Sequence, residues 1–164
     1  MSPQKDRFSQ YPRRVRHSTA PRAADYELLP GHYAVHRRSA DAPAPEDALY
    51  VLDEGAIAVF EGSPGEARGE VGPVYALGPG GAPAVPTGRV FVRFKEGTKA
   101  EDQRKEIKQA GYEIEEVPAY APHAAWLRAL SGEIDDALKG IEGLEKLPDV
   151  ENVEPQMLTQ SAKR

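Results

Sequence analysis

Arg89-Val90-Phe91-Val92-Arg93-Phe94 decides the fold, because it alternates and so places Val90, Val92 and Phe94 on one face, as a half-buried strand requires. Reading downstream, the chain turns at Gly97. Thr98-Lys99-Ala100-Glu101 then has the spacing of a capping box, in which the threonine oxygen accepts from the backbone three residues on and Glu101 reaches back to the Thr98 amide. A helix is expected from there to about Ala110, with a thin apolar stripe of Ala100, Ile107 and Ala110, and Gly111 suits the left-handed position that closes a helix.

Tyr112 to Val117 alternates again, and after the Pro118 to His123 connection Ala124 to Ala129 supplies a matching strand, so the two suit an antiparallel pair. A second amphipathic helix follows. Its N-terminus is marked by Ser131 or Gly132 and by the acids Glu133, Asp135 and Asp136, and Ile134, Leu138, Ile141 and Leu144 recur every three or four residues. Leu147-Pro148-Asp149 ends it, since proline disfavours helical geometry in the residue before it. Val150 to Val153 is then a last short strand, closed by Pro155. The expected class is α+β, and the order over residues 88–155 is that of a ferredoxin-like βαββαβ open-faced sandwich. Both helices lie on one face of such a sheet, and the uncovered face is an expected interaction surface.

Upstream, Tyr26 to Arg38, Ala48 to Gly62 and Gly72 to Pro79 each carry short apolar runs separated by Gly, Pro and Asp. The best hairpin signal is Asp53-Glu54-Gly55 between Leu49-Tyr50-Val51-Leu52 and Ile57-Ala58-Val59-Phe60, because glycine takes the positive φ of a tight turn. Residues 25–78 are therefore expected to form a small antiparallel β unit. Residues 79–87, with Pro79, Gly80, Gly81, Pro83 and Pro86, read as a linker, since proline and glycine deny helix and ladder bonds alike. Residues 1–24 are rich in arginine and proline and poor in large apolar side chains, which predicts a disordered basic tail.

The net charge of −5 is unevenly placed: basic residues gather before Arg22 and acids dominate from Glu46 onward. A short basic arm without interleaved aromatics leaves nucleic acid a minor alternative. The chain has no cysteine, which excludes disulfides, thiol nucleophiles and cysteine metal sites and fits a cytoplasmic setting. No apolar run approaches the roughly eighteen residues needed to cross a bilayer, and none follows the basic N-terminus, so neither a membrane span nor a cleaved signal is expected.

With the element order in place, Thr87 to Gly97, Gly111 to Ala129 and Leu144 to Leu158, with its Leu147-Pro148-Asp149-Val150-Glu151-Asn152-Val153-Glu154-Pro155 close and short polar tail, resemble the inhibitor-type propeptide of subtilisin-like serine proteases. The resemblance covers about half the chain, from Gly88 on. It implies a module that packs its sheet on a protease, assists its folding and lays an extended C-terminal tail, here residues 156–164, product-like in the active-site cleft. Such a tail extends the enzyme's own strand and fills pockets with alternate side chains. The protease-binding residues it implies are Glu154, Gln156, Met157, Leu158, Thr159, Gln160, Ser161 and Ala162, with the cleft-bound end near Thr159 to Ala162. Glu154 takes the place of an acid presented to a helix N-terminus on the protease, or is an exposed strand-end glutamate. With no subtilase catalytic sequence after Arg164, the expected partner is a separately encoded subtilisin-like protease, met in trans.

Other chemistry has little support. His32 and His36 have a helical metal-ligand spacing but lie among Pro30, Gly31 and Val35, which suit a strand without a third ligand. No serine stands in a Gly-x-Ser-x-Gly elbow, and Gly78-Pro79-Gly80-Gly81 lacks the lysine of a phosphate loop. Glu113, Glu115 and Glu116 read as a solvated strand face rather than paired acid/base carboxylates. Trp126 belongs to the sheet core or to the partner-facing side, because sequence does not set its parity with Tyr112 and Ile114. No enzyme, metal or cofactor is expected. The competing reading is a non-inhibitory assembly or regulatory subunit that uses the ferredoxin-like domain for protein contacts.

Overall fold

The computed structural model describes Phe8 and residues 10–16, 25–36, 48–52, 57–62, 70–78 and 81–159. In chain order its strands are β1 (Arg14–Arg16), β2 (Asp25–Leu28), β3 (His32–His36), β4 (Tyr50–Leu52), β5 (Ile57–Glu61), β6 (Glu70–Gly72), β7 (Tyr75–Leu77) and β8 (Pro83–Phe94). A 3-10 turn, Ala100–Gln103, leads into α1 (Arg104–Gln109), followed by β9 (Tyr112–Glu116), β10 (Ala124–Ala129), α2 (Ile134–Lys139), α3 (Ile141–Glu145) and β11 (Val150–Thr159). The fold is mixed α+β and built mostly of antiparallel strands. Among the described residues, one compact unit gathers those of Tyr26–Pro86 with Phe8 and Met157–Thr159, and the other gathers those of Gln10–Asp25 with Thr87–Gln156.

In the first unit, β4, β5, β3 and β6 form an antiparallel sheet in that order. The expected hairpin pairing is present, with Val51 opposite Ala58 and Leu52 opposite Ile57; its turn residues lie outside the described residues. Ala34, Leu52, Ile57, Val59, Val74 and Val85 make the apolar cluster of this unit, with Leu29 and Leu158 packed against it. Val85 belongs to the stretch that composition reads as a linker. It is instead the start of β8, where Ala84 pairs with Tyr75 and Pro83 with Ala76. Prolines at the end of a ladder cost few hydrogen bonds, and Ala84 and Val85 gain full burial.

In the second unit the strands lie in the order β11, β8, β10, β9. β10 runs antiparallel to both β8 and β9. Val90, Val92 and Phe94 are fully buried, as are Ile107, Leu127, Leu144 and Val153. β1 belongs to this unit and departs from the expected disordered tail: Val15 is buried between two exposed arginines, and Arg16 Nε lies 3.4 Å from Glu145 Oε2.

Three local expectations are corrected. The capping box does not form, because the Thr98 amide donates to the Lys95 carbonyl at 2.9 Å and Glu101 faces Arg104 at 3.7 Å, so the helix opens as a 3-10 turn after Lys99 with no side-chain cap. The last strand does not stop at Pro155 but runs to Thr159. Among the described residues β11 pairs with β8 alone, and on such an outer strand the missing proline N–H can face away from the ladder. The second helix is broken at Gly140, between α2 and α3.

Tyr112 explains that break. Its buried ring lies against Gly140, where an added Cβ would come within 2.6 Å of the phenolic oxygen, and its hydroxyl donates to the Ala137 carbonyl at 2.5 Å. Glycine is the residue that lets the helix approach the ring so closely. Gly111, at φ 97°, closes α1 as its position in the sequence predicts.

Gly140→Ala is therefore expected to cost about 1–3 kcal/mol through overpacking, although helix propensity alone would favour alanine by about 1 kcal/mol; the shift of the urea unfolding midpoint measures it. Burial, then the nearby Asp136 carboxylate, push the Tyr112 phenol well above its ordinary value. A group raised in the folded state stabilises fully below the unfolded pKa, near 10, and loses that contribution as pH climbs toward the folded value. Tyr112→Phe is expected to lose about 1 kcal/mol at pH 7 with the hydroxyl's hydrogen bond and to show a flatter decline of stability above pH 10, read from denaturation curves between pH 7 and 11.

Candidate functional site

Because β8 buries Val90, Val92 and Phe94, the intervening Arg89, Phe91 and Arg93 occupy the opposite face. β10 adds to that face through register: Trp126 stands opposite Phe91 and Arg128 opposite Arg89. The Phe91 and Trp126 rings meet edge to face, with centroids 5.0 Å apart, a favourable geometry for ring quadrupoles. Arg89 lies over the Trp126 ring, 4.6 Å from its centroid. Both rings are half-buried, and the surrounding Arg128 and Glu113 side chains are 58% and 42% exposed, so the strip is accessible to a partner.

Two arginines directly opposite one another on a sheet repel, and β9 supplies the compensation. Arg128 Nε donates to Glu113 Oε2 at 2.6 Å. Arg89 is held by two consecutive residues, Nε to Glu115 Oε1 at 2.6 Å and a terminal nitrogen to Glu116 Oε1 at 3.2 Å. Consecutive strand residues ordinarily point to opposite faces. Here the register shifts between Trp126 and Leu127, which pair with Glu116 and Ile114 and leave Glu115 as the extra residue of a bulge. That bulge aims both carboxylates at one guanidinium. Arg93 Nε lies 3.6 Å from Glu151 on β11. The acidic run thus neutralises the arginines of this face; no hydrogen-bonded carboxylate pair suited to acid/base catalysis is formed by it.

Of the residues that the resemblance implies, Glu154, Gln156, Met157, Leu158 and Thr159 fall on β11. Glu154 Oε2 accepts from Asn152 Nδ2 at 2.6 Å, and Gln156 Oε1 accepts from Thr87 Oγ1 at 2.7 Å. Met157 and Leu158 are half-buried and Thr159 is exposed at the strand end. Leu158 packs against the apolar cluster of the first unit, while Glu154 and Gln156 belong to the second unit. Gln160, Ser161 and Ala162 lie outside the described residues. The sequence stretch that reads as one extended tail is, as far as Thr159, a strand.

The sequence leaves Trp126 between the sheet core and the partner-facing side, and it does not point to Phe91, Arg89 and Arg128 as its companions. The burial of Val90, Val92 and Phe94 is enough to turn Phe91 outward, but its pairing with Trp126 rests on a register that no local signal sets.

Two further features carry less chemistry. His32 and His36 lie on β3, where four residues span about 13 Å, too far apart to share an ion, and among the described residues no group of three His, Asp or Glu side chains could hold a metal. In the second unit, a pocket of about 280 Å³ is lined by Arg14, Val15, Arg16, Leu138, Ile141 and Glu145 among others. Burial pushes the Glu145 carboxyl up, opposed by Arg16 and aided by Glu142. Cations and acids alternate around it, so no net field gathers a charged ligand. No described helix is long and apolar enough to cross a membrane. No family model, curated protein or solved structure matches the chain.

Trp126 is the sole tryptophan, so its emission reports this face alone. Arg89→Ala is expected to cost at most about 1 kcal/mol, since half-exposed ion pairs contribute little, yet to red-shift Trp126 emission by uncovering the ring; an unchanged spectrum would place the guanidinium elsewhere in solution.

Proposed function

We propose that the chain is a non-enzymatic protein-binding module, ferredoxin-like over residues 88–155 and preceded by a small antiparallel β unit, that docks a separately encoded subtilisin-like serine protease in the cytoplasm as inhibitor, folding chaperone or both. The observation that carries this reading is the accessible Phe91–Trp126 pair at the centre of the sheet face away from the buried one. Aromatic side chains with one arginine beside them are the residue types that anchor protein interfaces. The strand order β11, β8, β10, β9 supports the same architecture that the resemblance implies.

Charge supports a protein partner over a polyanion. Arg89, Arg93 and Arg128 each face a carboxylate within 3.6 Å, so few counterions would be released by a phosphate backbone. A second reading, a non-inhibitory assembly subunit, is favoured by one observation: Met157 to Thr159 are engaged in the first unit, so docking by the sheet face does not by itself deliver a tail to a cleft.

The test is titration of the chain against a bacterial subtilisin, following binding by Trp126 fluorescence and turnover by peptide hydrolysis. Phe91→Ala and Trp126→Ala, the latter followed by calorimetry, are each expected to weaken association about tenfold or more with little dependence on salt. Association that survives both substitutions unchanged discards this face as the docking surface, and association without loss of hydrolysis selects the assembly reading. A steep salt dependence together with capture of single-stranded nucleic acid would replace the protein partner altogether.

A further inference from the structure

The half-buried Leu158 raises a conflict of demand. The same segment that the resemblance assigns to a protease cleft provides an apolar side chain to the cluster of Ala34, Leu52, Ile57, Val59, Val74 and Val85. Those six residues come from β3, β4, β5, β8 and the stretch before β7, so the seat for Leu158 exists only when the first unit is folded. Cleft binding of a tail requires an extended strand whose backbone groups pair with the enzyme. While Leu158 is seated in this cluster, its side chain cannot also fill a pocket of the enzyme, although an outer strand keeps one row of backbone groups open. Met157 and Thr159, half-buried and exposed respectively, mark this as the last turn of a strand rather than deep core, the kind of element that opens locally at a modest cost.

We propose that Met157–Thr159 is a self-occupied latch: the apolar seat in the first unit holds Leu158, and release of this strand end is the step that makes the C-terminal segment available to a protease. The inference rests on the proposed protease reading and adds its regulation. The occupant of the seat is this chain's own strand end, and the first unit thereby acquires a role, as the brake on the second unit's binding partner. Binding through a state that is a minority of the population is weakened by the fraction of molecules in that state. Anything that loosens the latch must therefore tighten inhibition by the same factor that it raises the open population.

Two substitutions loosen it from opposite sides. Leu158→Ala shortens the side chain that is seated, and Val74→Ala, at a fully buried position, enlarges the seat without altering the tail. Amide hydrogen exchange of Met157–Thr159, read by mass spectrometry on the whole chain, measures the open population, and inhibition of a bacterial subtilisin measures its consequence. Both variants are expected to speed exchange at these amides about tenfold and to leave exchange of Val90–Phe94 unchanged, and Val74→Ala, which keeps the tail intact, is expected to lower the inhibition constant by a similar factor. Should Val74→Ala unfold the first unit, seen as fast exchange of β3 and β5, the milder Ile57→Val, which trims the same seat and leaves the tail intact, takes its place. Faster exchange with no inhibition by any form leaves Leu158 as a packing contact only and sinks the tail-in-cleft reading together with the regulation built on it. Exchange at Met157–Thr159 that is already unprotected in the unaltered chain, or inhibition that does not follow the open population, overturns the latch itself.

Discussion

The contact of Tyr112 with Gly140 is the constraint from which the second unit's architecture follows. A phenol ring carried on β9 is buried under a helix that would collide with it if residue 140 had a side chain. The chain answers by placing glycine there, at the break between α2 and α3, and by giving the phenol a hydrogen bond to the Ala137 carbonyl. A buried hydroxyl left without a partner would cost more than the bond contributes, so ring, glycine and carbonyl are selected together. Once the helical segments Ile134–Lys139 and Ile141–Glu145 are closed down on this side, alternation leaves Arg89, Phe91, Trp126 and Arg128 no choice but the other.

On that other face the strand register creates an electrostatic problem and β9 resolves it. Arg89 and Arg128 are directly opposed, and the bulge at Glu115 brings two adjacent carboxylates to the outer guanidinium. Individually, such exposed ion pairs are worth little. Their effect is on shape: they hold the Arg89 guanidinium over the Trp126 ring and keep the face close to neutral. A neutral, aromatic-centred surface selects partners by fit and apolar contact rather than by long-range attraction.

How much of this is legible in the sequence follows from the range of each cause. Alternation in Arg89 to Phe94, the hairpin pairing of residues 50–52 with 57–59 and the closure of α1 at Gly111 are local, and each follows from composition within a few residues. The burial of Val15 and of Val85 is not local. Both sit among arginines, prolines and glycines that read as tail or linker, and both are ordered by side chains distant in sequence. The capping box fails because the Lys95 carbonyl competes for the same amide, a competitor that the motif's four residues do not contain. The aromatic pair depends on strand register, and register is set by the whole sheet.

The tail shows the limit most sharply. Met157-Leu158-Thr159 joins two apolar residues to a β-branched one, which suits a protease cleft and equally suits an outer strand of the chain's own fold. The two demands are chemically the same, so no pattern in these three residues could separate them. What separates them is supply: the first unit presents an apolar seat assembled from five separate stretches of chain, and Leu158, eight residues after Val150 on β11, fills it without leaving the strand. An intramolecular partner acts at a high effective concentration, so any external cleft must outcompete a seat that is always present.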